Sequence, residues 1–190
     1  MMNIEDIQDA INKISLYDDE SYFEKIYTAY YNKLLRLSLS IVKSEEIAEE
    51  IYDDVMMNIW EKRKQLSHIN NFTVYLYVSI KNASLRYLSR SSKISNVDIN
   101  DITIEIEDMS PTAQEQMIAL EFMEKINTTI SQLSPQCKLV FKLVKEDGLK
   151  YKEVAEILDI SIKNVEYHMG NALKKISTTI SSDFKLLLTK

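Results

Sequence analysis

Glycine and proline are almost missing from this chain, with 2 of each in 190 residues. So few turn-formers argue against a fold rich in tight turns. The apolar residues recur at spacings of three and four rather than alternating, so the expectation is an all-α protein. Cysteine is nearly absent as well. A lone Cys137 excludes an internal disulfide, and with two distant histidines, His68 and His168, it makes no zinc site. Cys137 follows a helix-start signal and has apolar neighbours, which predicts a buried, inert thiol. No glycine-rich phosphate loop, metal cluster or Ser–His–Asp spacing stands out. Asp53 and Asp54 are adjacent on a helical stretch, so they point in different directions and form no carboxylate dyad. The expectation is a protein that is not an enzyme and uses no cofactor and no metal. No apolar run approaches membrane-spanning length. The N-terminus, "MMNIEDIQDAINKI", lacks the apolar core of a signal peptide. A cytoplasmic protein with no direct membrane insertion is therefore expected.

Charge is present and segregated. The formal net charge is -6, yet residues 45–61 hold seven acids and no base, whereas residues 62–93 hold seven bases and no acid. The acids are Glu45, Glu46, Glu49, Glu50, Asp53, Asp54 and Glu61; the bases are Lys62, Arg63, Lys64, Lys81, Arg86, Arg90 and Lys93. Residues 94–124 are again purely acidic, and residues 125–190 are mainly basic. Nucleic-acid affinity depends on local phosphate neutralisation, so an acidic total excludes nothing.

The apolar pattern divides the chain into two small helical domains joined by an extended acidic linker. The expected boundaries are an N-terminal tail at 1–17, a first domain at 18–93, the linker at 94–112, a second domain at 113–182 and a tail at 183–190. In the first domain, Tyr22, Phe23, Ile26, Tyr27, Tyr30, Leu34, Leu37 and Ile41 form one helical stripe. Ile47, Ile51, Val55 and Ile59 form a second, behind the N-cap candidate Ser44 and acids suited to the helix dipole. "QLSHINN" reads as a loop, and Phe72, Leu76, Ile80, Ala83 and Tyr87 mark a third helix. "VDINDITIEIE" alternates like a strand but has no partner strand, so it reads as the extended linker. In the second domain "AQEQMIALEFMEKINTTISQL" is one helix, and Ser134 with Pro135 opens another that Gly148 ends.

"YKEVAEILDISIKNVEYHMGNALKKI" then reads as two helices around a short turn. Val154, Ala155 and Leu158 face inward on the first; Ser161 caps the second; Ile162, Val165, Met169, Ala172, Leu173 and Ile176 form its buried stripe. The outer face carries Lys163, Asn164, Glu166, Tyr167, His168, Asn171, Lys174 and Lys175. In a helix-turn-helix the second helix meets base edges while nearby cations hold phosphates. A helical hairpin with a merely solvated face has the same pattern.

The ordered segments resemble a bacterial sigma factor of the extracytoplasmic-function (ECF) group over about residues 20–180. "LSPQCKLVFKLVKEDGLKYKEVAEILDISIKNVEYHMGNALKKI" resembles the sigma-4 domain, "AEEIYDDVMMNIWEKR" the sigma-2 helix that docks on RNA polymerase, and "FTVYLYVSIKNASLRYL" the helix that reads and opens the start-proximal promoter element. The resemblance implies core RNA polymerase as a partner through Glu49, Glu50, Asp53, Asp54 and Met57. It implies promoter DNA as a partner through Tyr77, Lys81, Asn82, Arg86 and Arg90, and upstream through Lys163, Asn164, Tyr167, His168, Asn171, Lys174 and Lys175. Ser67, His68, Asn70 and Asn71 would line a pocket for a flipped base. An anti-sigma partner, in the family often membrane-bound, is implied as well. The low-arginine, tyrosine- and isoleucine-rich composition is similar to Bacteroides-type versions.

The chain departs from the pattern at Lys150, which replaces a frequent Ser or Thr cap and removes the capping box with Glu153. Asp159 stands at a frequent turn glycine, and Gly170 interrupts the last helix. Arg86 sits where relatives often carry Asp or Asn, and Ser89 where they often carry Arg. A LuxR-type helix-turn-helix regulator is the alternative reading, since it accounts for residues 134–176. A helical adaptor is a third.

Overall fold

A computed structural model describes the backbone of residues 4–91 and 125–188, with side chains over 6–90 and 125–180. The chain separates into two compact units, Met1–Asp98 and Ile99–Lys190. Every regular element among the described residues is helical. The expected acidic linker at 94–112 lies outside the described residues.

The first unit contains α1 (Ile4–Tyr17), α2 (Glu20–Val42), α3 (Glu45–Glu61), a 3-10 segment (Arg63–His68) and α4 (Phe72–Ser91). Helix α2 packs against α1, α3 and α4, and its apolar stripe explains this. Ile26, Leu34, Leu37 and Ile41 are buried among Ile51, Val55, Met56 and Ile59 of α3 and Phe72, Leu76 and Ile80 of α4. Polar groups trapped between α2 and α4 pair with each other. Tyr30 Oη and Thr73 Oγ1 lie 2.6 Å apart, and the hydroxyls of Ser38 and Ser84 lie 3.0 Å apart. Buried hydroxyls need such partners, so these bonds also fix the register of the two helices.

Two expectations change here. Residues 4–17 fall within the expected N-terminal tail at 1–17, outside the expected first domain at 18–93. They form α1, whose Ala10, Ile11 and Ile14 are buried against α2 and the 3-10 segment. The apolar spacing was in the sequence, but one short helix gives no sign of what will cover it. "QLSHINN", read as a loop, begins inside the 3-10 segment, which Leu66 anchors to the core.

Helix ends follow local chemistry. Asp19 caps α2 by accepting from the Ser21 N–H at 3.0 Å. Lys43, in the left-handed region at φ 60°, ends it. Ser44 caps α3, its hydroxyl 3.5 Å from the Ile47 nitrogen.

The second unit contains α5 (residues 125–131), α6 (Pro135–Lys145), α7 (Tyr151–Leu158) and α8 (Ile162–Leu188). Ile130, Leu133, Cys137, Ala172 and Ile176 form a buried cluster, with Ile126, Phe141 and Ile180 packed against it. Cys137 is buried as expected, and its thiol donates to the His168 carbonyl at 3.0 Å. Burial pushes that thiol's pKa up, which keeps it protonated and unreactive. The backbone of α8 runs on to Leu188, past the expected domain end at 182.

The turn between α7 and α8 is built by two residues. Asp159 adopts the left-handed conformation, φ 57° and ψ 47°, which Asp tolerates better than most side chains. Ser161 then caps α8, accepting from the Asn164 N–H at 3.1 Å. At the start of α7 the capping box is halved, not lost. The Lys150 backbone N–H donates to Glu153 Oε2 at 2.8 Å. An ammonium side chain has no acceptor to return the bond.

Candidate functional site

Helix α3 presents its acids as two adjacent rows. Glu49, Asp53 and Met57 fall four residues apart on one line, with Glu50 and Asp54 on the next. All five are exposed, and Met57, at 64% exposure, is a large apolar side chain among charges. The first row is braced from α2: the Tyr27 hydroxyl donates to Asp53 at 2.7 Å and the Tyr31 hydroxyl to Glu49 at 2.9 Å. Tyr52 sets the two tyrosines. Its ring meets each edge-on with centroids 5.0 and 5.1 Å away, and its hydroxyl donates to the Tyr27 carbonyl at 2.6 Å. The hydrogen bond to Asp53, together with burial, pushes the Tyr27 pKa up to about 12. Sequence reasoning placed Tyr27 in the core stripe and missed this role. Its only sequence signal is an i, i+4 tyrosine pair opposite an acidic helix.

The second acidic row faces the cations of α4. Glu50 and Asp54 line a groove with Arg86, Tyr87 and Arg90. Arg86 also borders a neighbouring cleft of about 190 Å³ with Asn58, Tyr75, Ser79 and Asn82. The acidic and basic blocks therefore meet along the α3–α4 seam instead of occupying remote surfaces. Asn82, Arg86 and Arg90 are exposed.

Two other candidates on α4 are not. Tyr77 is 1% exposed and Lys81 9%. The Tyr77 ring lies inside the helical core, so it offers no face for a base. The helical period explains this: Tyr77 is one position past Leu76 and three before Ile80, on the edge of the stripe that α2 covers.

Between α3 and α4, Ser67 and His68 end the 3-10 segment and Asn70 and Asn71 follow it, all four exposed. Asn71 Oδ1 accepts from the Val74 N–H at 3.1 Å and thereby starts α4. The segment's leading cations are tied down. Arg63 Nε and Lys64 Nζ donate to separate oxygens of Asp18, at 2.5 and 2.8 Å. The paired cations hold the Asp18 carboxyl below its ordinary pKa.

On α8, Lys163, Asn164, Tyr167, Asn171, Lys174 and Lys175 are exposed, and they share the outer face with Glu166. His168 is half-buried, its ring edge-on to Tyr167 at 5.4 Å, and burial lowers its pKa. Lys175 reaches across to the Gln132 carbonyl at 2.8 Å, so part of its donor capacity is internal. Val165, Met169, Ala172 and Ile176 are buried as expected, but Ile162 and Leu173 are 45% and 44% exposed. Leu173 lies about 100° round the helix from Ala172, and Ile162 stands at the open first position of α8.

Residues 26–94 match the family model for Sigma-70 region 2, and residues 123–176 match that for Sigma-70 region 4. The chain is an ECF sigma factor of the sigma-70 family.

Among similar proteins, the ferric citrate uptake sigma factor FecI of Escherichia coli is 22% identical over 152 residues, covering 80% of this chain and 87% of that one. The ECF RNA polymerase sigma-E factor of Haemophilus influenzae is 22% identical over 170 residues, covering 85% and 89%. The ECF RNA polymerase sigma factor SigM of Bacillus subtilis is 24% identical over 157 residues, covering 80% and 91%. The fold is also that of CnrH, solved in complex with the cytosolic domain of CnrY. That match has a TM-score of 0.55 and 18% identity, over 94% of this chain and 99% of that one. This sigma factor directs core RNA polymerase to promoters and acts in transcription initiation. The region 2 match leaves the LuxR-type alternative without support, because that reading accounted only for residues 134–176. No described helix of the sigma factor is long and apolar enough to cross a membrane.

Proposed function

We propose that the sigma factor divides its work by surface. The α3 ridge of Glu49, Glu50, Asp53, Asp54 and Met57 docks on core polymerase. Asn82, Arg86 and Arg90 of α4, with the exposed Ser67, His68, Asn70 and Asn71, hold melted start-proximal DNA. Lys163, Asn164, Tyr167, Asn171, Lys174 and Lys175 of α8 hold the upstream element, with His168 contributing at the edge. Tyr77 and Lys81 act by supporting α4 from within. Residues 94–112 serve as the acidic spacer between the first domain, α1 included, and the domain at 113–182.

The observation that carries this reading is the arrangement of α3. Its acids are exposed in ordered rows around one exposed methionine, and tyrosine hydroxyls on α2 hold two of them in place. Exposed apolar side chains ringed by oriented charge suit a partner of opposite sign, with the charges guiding encounter and register.

The same reading places the protein in the cytoplasm with the polymerase. The composition supports a Bacteroides-type member of the group. CnrH was solved with CnrY, and the sigma factor RpoE of Bartonella quintana with the anti-sigma factor NepR; the latter match has a TM-score of 0.52. Those complexes support an anti-sigma protein as the regulator of this chain too.

Run-off transcription with core polymerase tests the division. Charge reversal at Glu50 and Asp54 should abolish both association with core polymerase and the promoter-dependent transcript. Reversal at Arg86 and Arg90 should leave association intact and abolish promoter opening. Loss of core binding in the arginine variants would overturn the assignment.

A further inference from the structure

Arg63 and Lys64 stand near the head of the basic block, yet both are directed at a single carboxylate 45 and 46 residues earlier in the chain. Asp18 sits at the α1–α2 junction with φ 54°, a left-handed conformation that few side chains adopt. Each of its oxygens takes one cation. Arg63 is held in place independently of Asp18. Its guanidinium lies 4.6 Å over the Trp60 ring and Nη1 donates to the Trp60 carbonyl at 3.0 Å, while Trp60 itself packs on Phe23 at 5.0 Å. A guanidinium carries five N–H donors and an ammonium three. The described bonds use two of the former and one of the latter, and Lys64 remains 58% exposed.

Two fixed cations, converging on two oxygens of one anion and still open to solvent, also match the two non-bridging oxygens of a phosphodiester. We infer that Arg63 and Lys64 form a phosphate site at the entrance to the α3–α4 connection, and that Asp18 is its built-in competitor. The inference rests on the reading that this connection meets melted DNA. A strand whose base reached Ser67–Asn71 would bring its phosphate past the 3-10 segment, where it displaces Asp18. The ion pair is exposed and exchanges readily, so displacement needs no unfolding of α1. The acid lowers sequence-independent grip on nucleic acid without removing the cations.

The test measures binding of the full chain to a 20-nucleotide thymidine oligomer by fluorescence anisotropy across a salt series. Asp18→Asn keeps the side-chain size and removes the competing charge. It should bind roughly three- to fivefold tighter at low salt, because the phosphate no longer has to displace a carboxylate. Adding Lys64→Gln to that variant should cancel the gain. Lys64→Gln alone, which leaves the Arg63–Asp18 bond, should weaken binding and flatten the slope by about 0.7; it reports on the site if Asp18→Asn loses helix content by circular dichroism. Wild-type affinity in a folded Asp18→Asn variant, or no effect of Lys64→Gln, overturns the inference. Run-off transcription by the wild-type chain separates the two levels. A chain that opens promoters but ignores both substitutions sinks only the phosphate site, whereas Arg86 and Arg90 reversals that leave opening intact sink the underlying reading.

Discussion

The Tyr27 hydroxyl donates to the Asp53 carboxylate at 2.7 Å, joining α2 to the acidic face of α3. The bond orients a charge that is otherwise free to rotate on an exposed helix. Tyr27→Phe should therefore lower affinity for core polymerase about threefold, the size of a modest net hydrogen bond, with helix content unchanged. Isothermal titration against core polymerase reads this.

The same bond has a pH signature. The Tyr27 pKa is raised to about 12 from an ordinary value of 10.0. The folded state therefore holds this proton more tightly than the unfolded state does. The stabilisation is fully present below about pH 10 and is lost as pH rises toward 12. Chemical denaturation from pH 9 to 12 should show stability falling across that window, and Tyr27→Phe should shrink the fall.

Met57 separates docking from folding. It is exposed, so Met57→Ala should change unfolding free energy by no more than about 0.5 kcal/mol. If it is the apolar centre of the docking ridge, the same substitution should weaken core polymerase binding about tenfold. A denaturant melt and a binding titration on one preparation give both numbers.

Tyr77 should behave in the opposite way. Its ring is buried, so Tyr77→Ala should cost roughly 3–5 kcal/mol through the cavity it leaves. Tyr77→Phe should preserve promoter opening. Permanganate reactivity of the melted promoter, compared with unfolding midpoints, distinguishes a core residue from a stacking one.

On α8, Lys163→Gln and Lys174→Gln should each flatten the salt dependence of duplex binding by about 0.9, one phosphate contact apiece. Lys175→Gln should also lower the melting temperature, because its ammonium bridges to the Gln132 carbonyl.

Gly170 is a helical glycine with open space where a Cβ would stand. Gly170→Ala should raise stability by about 1 kcal/mol. If DNA backbone approaches this position closely, the variant should also bind the upstream element less tightly, which a promoter-fragment titration detects.

The stripes of α2, α3 and α4, the caps at Ser44 and Ser161, the left-handed Asp159 and the buried Cys137 were all legible in the chain. Each depends on residues within a few positions, where helical period and capping chemistry act. The same rules misplaced Ile162 and Leu173, which local period assigns to the core and which α8 leaves half exposed. The lost capping box at Lys150 was half wrong for a related reason. Residue type identified the missing acceptor but not the backbone N–H that still finds Glu153.

Sequence by itself determined the helical class, the stripes of α2, α3 and α4, the segregation of charge and the order of the segments, because these follow from side-chain type at fixed spacing. Only the tertiary structure decided that α1 belongs to the first unit and that Tyr77 faces inward. It also decided that the acids of α3 share a groove with Arg86 and Arg90, and that Asp18 holds Arg63 and Lys64. Those relationships join residues up to 46 positions apart, and they arise from how helices pack, which no local pattern of three and four encodes.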